Sequence, residues 1–275
     1  NGEGIRFGVS VVGLTSQLDN SIVSLSDKTQ ISAKLVIAAD GRNSTVRSIS
    51  NIALKKWDHG QNAIAFEVIH QIPHNGESIE MLEEGGPCTF VPIRSTSPGS
   101  FRSAVVWMET RKRVNDLMSM DDKEFAKVLT KRVDNIFGTI QICSQRRSYP
   151  IISQLANKFC CTRLALIGES AHVMPPIGAQ GLNSSLEDID LLAKLIQGVL
   201  KKNKDIGSEE LLKKYNKMRR TIILPRMLGI ELLNQTSRSK SKIVHNWRNF
   251  GLRLINNNSS IKKTLMKVGL GERPF

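Results

Sequence analysis

Hydrophobic and polar residues alternate along the first part of the chain in a way that predicts strands. The stretch 5–12 includes a period of two, and apolar residues at 22–25 continue the strand signal. The largely apolar run 31–39 predicts a buried strand, after which Asp40 and Gly41 form a sharp turn. This part of the chain is therefore expected to be a meander that feeds a buried strand.

The middle of the chain shows a second set of strand signals. Three strand-like runs stand between clusters of Gly, Pro, Asn and Ser, at 63–69, 88–93 and 103–108. Such a meander favours an antiparallel or mixed sheet with one face free to cover a ligand. Helical apolar spacing from Leu117 to Phe137 then predicts a helix that ends near Gly138.

A strand, a Gly- and Pro-rich loop and a long helix are predicted to follow one another after Arg163. The apolar run 164–167 stops at Gly168, which predicts a buried strand ending in a tight turn. Apolar residues on one face indicate the helix: Leu182, Leu186, Ile189, Leu192, Ala193 and Ile196. Free N–H groups at the start of such a helix favour an electron-rich group, and the carboxylate of Glu169 can accept hydrogen bonds from sugar-like hydroxyls.

The last part of the chain is predicted to be helical. Residues 209–218 form a helix with Ser208 as its N-cap, and Pro225 interrupts it or starts the next one. Apolar and basic residues are interleaved over 250–263. This amphipathic segment either lies on an anionic membrane surface or packs its apolar face on the protein itself, and the pattern favours neither.

Charge is concentrated at one end of this 275-residue chain, whose net charge is +14. Residues 1–200 hold 21 Lys and Arg against 20 Asp and Glu, whereas residues 201–275 hold 18 against 5. The basic region is either a solvated face or a contact for anionic lipid. Nucleic acid is disfavoured, because aromatic residues make up only 5% of the chain and no recognised module is present. No apolar run reaches the length of a membrane span, and no signal peptide is visible.

Cysteine and histidine patterns argue against a metal site. The four cysteines, Cys88, Cys143, Cys160 and Cys161, show no paired CxxC spacing, so free thiols in a reducing cytoplasm are expected. His59, His70 and His74 lack a carboxylate pattern that would complete a site, and structural or surface roles are favoured. For His172, packing or hydrogen bonding is favoured over proton transfer.

Two motifs resemble those of a known family. The sequence Gly-Glu-Ser-Ala-His at 168–172, with Pro-Pro-Ile-Gly-Ala-Gln-Gly-Leu-Asn at 175–183, resembles the second flavin motif of the aromatic-ring hydroxylases, the single-component FAD monooxygenases of the p-hydroxybenzoate hydroxylase fold. The family usually has Gly-Asp-Ala-Ala-His, so Glu169 and Ser170 depart from it. The segment 38–47 resembles the Asp-Gly motif of the same hydroxylases.

Further pieces are similar to the ubiquinone-biosynthesis hydroxylase branch, at 57–64, 70–76 and 205–220. The resemblance implies an α/β (mixed α+β) fold: the C-terminal part of an FAD-binding Rossmann-like domain, an inserted substrate domain with a mixed or antiparallel sheet, and a helical C-terminus. The implied division is 1–50 and 156–200 for the FAD-binding parts, 51–155 for the substrate domain and 201–275 for the basic helical region.

The resemblance also implies which residues contact the flavin. The expected cofactor-binding set is Asp40, Gly41, Ser44, Arg47, Gly168, Glu169, Pro176, Gly178, Gln180, Gly181, Leu182 and Asn183. Asp40 and Gly41 would lie at the flavin, and Arg47 would hold the motif or face a phosphate. Pro176 would line the pocket on the ring side, and the 178–183 amides would lie near the flavin pyrimidine edge. No side chain is evident as a general base or metal ligand.

The activity implied is hydroxylation of a polyprenyl-phenol ubiquinone precursor with FAD, NADH or NADPH, and O₂. The protein would be cytoplasmic, with contact to the inner face of the membrane (the matrix side in a mitochondrion) or to a biosynthetic complex through 201–275. FAD enzymes of this fold begin with a Gly-x-Gly-x-x-Gly turn, which these residues lack, so an N-terminally truncated enzyme is predicted. The alternatives are a flavoenzyme of the same fold with another aromatic substrate, and a non-catalytic fragment or interaction module.

Overall fold

The computed structural model describes residues 4–95 and 99–238. Within these ranges the chain divides into two compact units. The first unit comprises residues up to Trp57 and the stretch 153–229, and the second comprises the stretch 58–152 and the residues from Ile230 onward. The chain passes from one unit to the other within two long strands and within its last helix.

The first unit begins with an antiparallel three-stranded sheet in the order β1-β2-β3. Its strands are β1 (Val11–Ser16), β2 (Ser21–Leu25) and β3 (Gln30–Ala33). The predicted strand over 5–12 is wrong for residues 5–10, since β1 starts only at Val11. The single buried strand predicted over 31–39 is also wrong. It is two strands, because β3 pairs with β2 whereas β4 (Val36–Ala38) pairs in another sheet, and Ile37 is 45% exposed.

That other sheet contains a parallel pairing. Its order is β11-β12-β4, with β11 (Cys160–Cys161) antiparallel to β12 (Leu164–Leu166). Strand β12 runs parallel to β4, with Leu166 opposite Ala38. The buried strand predicted at 164–167 is confirmed as β12, whose three residues are all buried.

Helices complete the first unit. They are α1 (Thr45–Ile49), α4 (Gln180–Leu200) and α5 (Glu209–Arg238), whose last residues belong to the second unit. The predicted break at Pro225 is wrong, because Pro225 lies inside α5. A proline there removes one backbone hydrogen bond, and the packing of Ile223 and Ile230, both buried on either side of it, offsets that loss.

The apolar stripe of α4 is exposed over the first half of the helix and becomes buried at Leu192. Leu182, Leu186 and Ile189 are exposed, whereas Ser184 and Asp188 on the opposite face are fully buried. The buried face of α4 is therefore partly polar, which requires hydrogen-bond partners for each polar group.

The second unit is a sheet covered by two helices. Its strands are β5 (Leu54–His70), β6 (Ile79–Glu83), β7 (Gly86–Ile93), β8 (Phe101–Thr110), β9 (Ile140–Ile142) and β10 (Arg147–Ala156), of which β5 and β10 extend into the first unit. The order is β10-β5-β8-β7-β6, and β9 also pairs with β5. The β5–β8, β7–β8, β6–β7 and β5–β9 pairings are antiparallel, as the meander predicted.

The core of the second unit lies between this sheet and the helices α2 (Arg111–Ser119) and α3 (Asp122–Arg132). Phe66 and Trp107 are buried there, each in ring contact with the buried Phe125. The single helix predicted from 117 to 137 is wrong, because Met120 is extended and Asp121 caps a new helix through the Glu124 N–H at 2.8 Å. None of the helices in the described ranges combines the length and the apolar character that a membrane crossing requires.

Candidate functional site

Two turns meet at one edge of the first unit. The turn at Asp40 and Gly41 follows β4, and the turn at Gly168 and Glu169 follows β12. Because the two strands are parallel and adjacent, both turns leave the sheet at its carboxyl edge. The Ile167 N–H extends the pairing by donating to the Ala38 carbonyl at 3.0 Å. Segments more than a hundred residues apart in sequence are thus brought together.

Arg47 connects the two turns. Its guanidinium donates to the Ser170 carbonyl at 2.8 Å and to the Arg42 carbonyl at 3.1 Å. The side chain is buried, and this burial lowers the pKa of Arg47, although the nearby Asp40 raises it in part. In this structure Arg47 therefore holds the Asp-Gly segment against the second turn.

The Asp40 segment is shaped by two side-chain caps. A carboxylate oxygen of Asp40 accepts from the Val46 N–H at 3.0 Å, and the hydroxyl of Ser44 accepts from the Arg47 N–H at 2.9 Å. Between them Gly41 has a φ of +80°, and a Cβ there would meet no atom within 4 Å. The left-handed conformation, not crowding, is what favours glycine at this position.

The second turn is a single 3-10 turn over Gly168–Ser170. Gly168 has a φ of +59°, and a Cβ there would lie 3.1 Å from the Ser185 hydroxyl oxygen, so both conformation and space favour glycine. Ser170 is fully buried, and its hydroxyl lies 2.7 Å from the carbonyls of Ala38 and Ile167. The serine that departs from the family pattern therefore makes hydrogen bonds that an alanine cannot make.

Glu169 is the one side chain of this turn that faces solvent. Its carboxylate is about half exposed and lies 3.5 Å from the guanidinium of Arg42, which is also partly exposed. An ion pair of this kind contributes little to stability, typically about 0–1 kcal/mol. The carboxylate thus stays accessible to hydroxyl groups of a ligand.

The start of α4 lies in the same motif. Gly178 and Ala179 are both left-handed, with φ of +61° and +54°, and Ala179 is the N-cap without a side-chain hydrogen bond. Pro176, Gly181 and Leu182 are exposed around this helix start. Ala179 supplies no side-chain cap to the N–H groups of the first turn, and these groups carry the positive end of the dipole of a 21-residue helix. Gln180 is half-buried and donates to the Gly178 carbonyl at 3.0 Å, and Asn183 is also half-buried.

A buried network behind the second turn was not found by sequence reasoning. Asp188 accepts hydrogen bonds from the Gly168 N–H at 2.8 Å and from Arg219 at 2.5 Å, and His172 Nε2 lies 2.8 Å from the same oxygen as Gly168. Arg219 also donates to the Ser184 carbonyl at 3.0 Å. The one feature of the sequence that bears on this network is Asp188 itself, a charged residue on the face of α4 opposite the apolar stripe.

The remaining histidines and cysteines are placed in structural surroundings. His70 is buried, with its ring nitrogens 2.8 Å from the Ile72 carbonyl and 2.9 Å from the Ser103 hydroxyl. Cys160 is a free thiol, and burial raises its pKa to about 11, so it stays protonated. Within residues 4–95 and 99–238, no group of three metal-ligating side chains is found.

This arrangement fits part of a flavin. The exposed carboxylate at a strand end, with the left-handed Asp-Gly turn beside it, can accept hydrogen bonds from ribityl hydroxyls, and the N–H groups of the helix start suit the electron-rich pyrimidine edge of the ring. Fold and site together are those expected of a flavin-binding protein. The family comparison is specific: the chain belongs to the FAD binding domain family, whose pattern matches residues 2–224.

Similar proteins point to the same class. The chain is 30% identical to ubiquinone hydroxylase UbiL of Rhodospirillum rubrum over 95% of its length, and 24% identical to 3-demethoxyubiquinol 3-hydroxylase of Escherichia coli over 97%. It spans 60% and 67% of these two relatives. The solved structure of p-nitrophenol 4-monooxygenase PnpA from Pseudomonas putida, with 18% identity, shows the same fold at a TM-score of 0.75, over 98% of this chain and 68% of that one.

Proposed function

We propose that this chain is part of an FAD-dependent monooxygenase of ubiquinone biosynthesis and supplies its two flavin-contacting turns and its substrate domain. The enzyme hydroxylates the ring of a polyprenyl phenol, using NADH or NADPH and O₂. The observation that carries the proposal is the meeting of the Asp40-Gly41 and Gly168-Glu169 turns on two adjacent parallel strands. The names of the relatives supply the substrate class.

In this proposal each residue contacts the flavin through one kind of group. Glu169 accepts from ribityl hydroxyls, and Asp40 and Gly41 face the cofactor from the neighbouring strand end. The N–H groups of 178–183 stabilise negative charge at the pyrimidine edge of the ring. Pro176 lines the ring-side pocket, where an apolar, water-excluding wall suits a prenylated phenol. When bound, FAD supplies the redox chemistry that activates O₂.

The pyrophosphate half of FAD has no counterpart in these residues, because the sequence contains no Gly-x-Gly-x-x-Gly turn. A further segment carrying such a turn would complete the site. Without one, the alternative is a folded but non-catalytic module. The second alternative is a flavoenzyme of the same fold that acts on another aromatic substrate. The activity assay below distinguishes it from the proposed enzyme by comparing two substrates.

Contact with an anionic membrane or a biosynthetic complex through 201–275 is part of the proposal, and it places the protein on the cytoplasmic or matrix face. The amphipathic stretch 250–263 lies outside the described residues. Within the described part, Arg219 and Arg226 are buried in contacts with Glu187, so these two charges are not available to lipid. Binding to vesicles with and without anionic lipid tests this contact, and binding unchanged by high salt would contradict an electrostatic mode.

The cofactor test is an FAD titration of the 275-residue chain beside a version extended at its N-terminus by a βαβ unit with a Gly-rich turn. The extended chain is expected to bind one FAD, and Glu169→Gln should weaken binding by about tenfold or more, because a charge-assisted hydrogen bond contributes roughly 1.5–3 kcal/mol. Glu210→Gln, an exposed residue of α5, is the matched control. Equal affinity of Glu169→Gln and wild type would contradict the assigned role.

The activity test follows NADH and NADPH oxidation by the FAD-loaded extended chain with a prenylated phenol, and the product is analysed by mass. Addition of one oxygen atom to the phenol is expected. Hydroxylation of a soluble aromatic acid in preference to the prenylated phenol would favour the second alternative. FAD binding without product from either substrate would favour the non-catalytic module.

A further inference from the structure

Asp188 is a fully buried carboxylate with three hydrogen-bond donors around it. One oxygen accepts from the Gly168 N–H at 2.8 Å and from His172 Nε2 at 2.8 Å, in the tautomer that carries its proton there. The other oxygen accepts from the Arg219 guanidinium at 2.5 Å. These donors belong to the second turn, to the short strand His172–Val173 that follows it and to α5, so the side chain of Asp188 joins three segments.

One face of helix α5 also contacts the segments around Asp188. Tyr215 donates its hydroxyl to the Leu166 carbonyl at 2.8 Å, just before the second turn, and burial together with the charge of Asp188 raises the pKa of this tyrosine. Arg219 and Arg226 lie one and three turns further along α5 and contact Ser184 and Glu187 of α4. The helix therefore supports the strand end, the turn and the start of α4 together.

We propose that Asp188 is a positioning residue for the flavin turn and that Arg219 is its counter-ion; the inference rests on the proposed function. Gly168 is left-handed, and this conformation aims its N–H at the buried Asp188 oxygen while Glu169 faces solvent. Any other conformation of the turn would break the hydrogen bond between the buried Gly168 N–H and the buried Asp188 oxygen, and the loss of this bond would raise the free energy of the folded state. Asp188 thereby selects the conformation that presents the Glu169 carboxylate.

The same helix offers a matched control. Asp190 lies two residues further along α4, is exposed and pairs with Lys194 at 2.6 Å. Asp188→Asn and Asp190→Asn remove the same charge from the same helix, but only the first changes the group that holds Gly168. Arg219→Lys keeps the positive charge and loses the planar fork, and it serves where Asp188→Asn folds poorly.

The first test is amide hydrogen exchange, measured by NMR on the 275-residue chain without flavin. The amides compared are those of Gly168 and Ala171, which belong to the turn, and that of Leu166, which belongs to β12. In Asp188→Asn, the exchange rate should increase at least tenfold more at the two turn amides than at the Leu166 amide. Arg219→Lys should show the same local pattern with smaller size, and Asp190→Asn should show neither. Acceleration by one common factor at all three amides, in both variants, would overturn the proposal, because Asp188 would then only stabilise the unit.

The second test is FAD affinity of the extended chain. Asp188→Asn should raise the Kd at least tenfold, whereas Asp190→Asn should leave it unchanged. An unchanged Kd in Asp188→Asn would overturn the positioning role. If the wild-type extended chain binds no FAD, the proposed function fails and with it the flavin role of Asp188, while the exchange data still decide whether Asp188 holds the turn.

Discussion

Arg47 donates a hydrogen bond to the Ser170 carbonyl at 2.8 Å, across 123 residues of sequence. The bond joins the helix after the Asp-Gly turn to the turn that carries Glu169. Both groups are buried, so no water replaces either partner when the bond is broken. The geometry of the candidate flavin site therefore depends on a side chain that itself lies behind the exposed residues.

Replacing Arg47 by Met is expected to lower the free energy of unfolding by roughly 2–4 kcal/mol, because the buried carbonyl of Ser170 and the part-buried carbonyl of Arg42 lose a charged donor. Urea unfolding followed by circular dichroism measures the effect. Arg6→Met, which removes an exposed arginine bonded to Thr29, is the control and should change stability by less than about 0.5 kcal/mol. Equal effects of the two substitutions would contradict the assigned role of Arg47.

Ser170→Ala installs the residue that the related hydroxylases usually carry, yet it is expected to destabilise this chain by about 1 kcal/mol. The reason is the loss of the hydroxyl that lies 2.7 Å from the buried carbonyl of Ala38 and 2.7 Å from the part-buried carbonyl of Ile167. Ser48 is an exposed residue whose hydroxyl donates to the Ser44 carbonyl at 3.0 Å, and Ser48→Ala provides the comparison in the same thermal unfolding series. A more stable Ser170→Ala variant would show that the hydroxyl adds nothing to the turn.

Stability should fall between pH 7 and pH 5 through His70. Burial lowers the pKa of His70, so the folded state favours the neutral ring while the unfolded chain binds a proton below about pH 6.5. The contribution is complete above that pH and is lost as the pH falls toward the lowered folded pKa. His70→Gln should therefore flatten the pH dependence of the urea midpoint. His74→Gln is the comparison: burial is the main cause of the lowered pKa of His70 and the charge of His74 only a smaller one, so this variant should keep most of the slope. A slope unchanged in His70→Gln would contradict the prediction.

Two leucines of the same apolar stripe should respond differently to truncation. Leu192 is 3% exposed, and Leu192→Ala is expected to cost about 2–4 kcal/mol of unfolding free energy because it leaves a cavity. Leu186 is 54% exposed, and Leu186→Ala should cost less than about 0.5 kcal/mol. Chemical denaturation measures the free energy of unfolding of both variants. Similar losses in Leu192→Ala and Leu186→Ala would mean that the stripe is buried along its whole length in solution.

Local signals predicted the elements that position the site. The apolar run that stops at Gly168 and the helical spacing after Leu182 depend on chemistry within a few residues, and the structure contains β12 and α4 at these places. The same kind of signal failed where tertiary pairing decides. The run 31–39 is continuous in sequence but divides between two sheets, and the apolar spacing after Leu117 continues across the cap at Asp121.

The support behind the site could not be predicted from sequence. Asp188 and Arg219 lie on different helices, 31 residues apart, and no short spacing marks them as partners. The apolar stripe of α4 does not identify the buried face of the helix start either, because Leu182 and Leu186 are exposed whereas Ser184 and Asp188 are buried and find donors on α5. Buried polar networks are specified by the whole fold, and only coordinates show them.

The parallel pairing of β4 and β12 has a consequence for how such chains diversify. The distance between the two turns is set by three registered residue pairs and not by the number of residues that separate them in sequence. The block 58–152 can therefore lengthen, shorten or be replaced as a cassette while Asp40 and Glu169 keep their separation. A change of length in the block 58–152 is thus compatible with an unchanged geometry of the two turns.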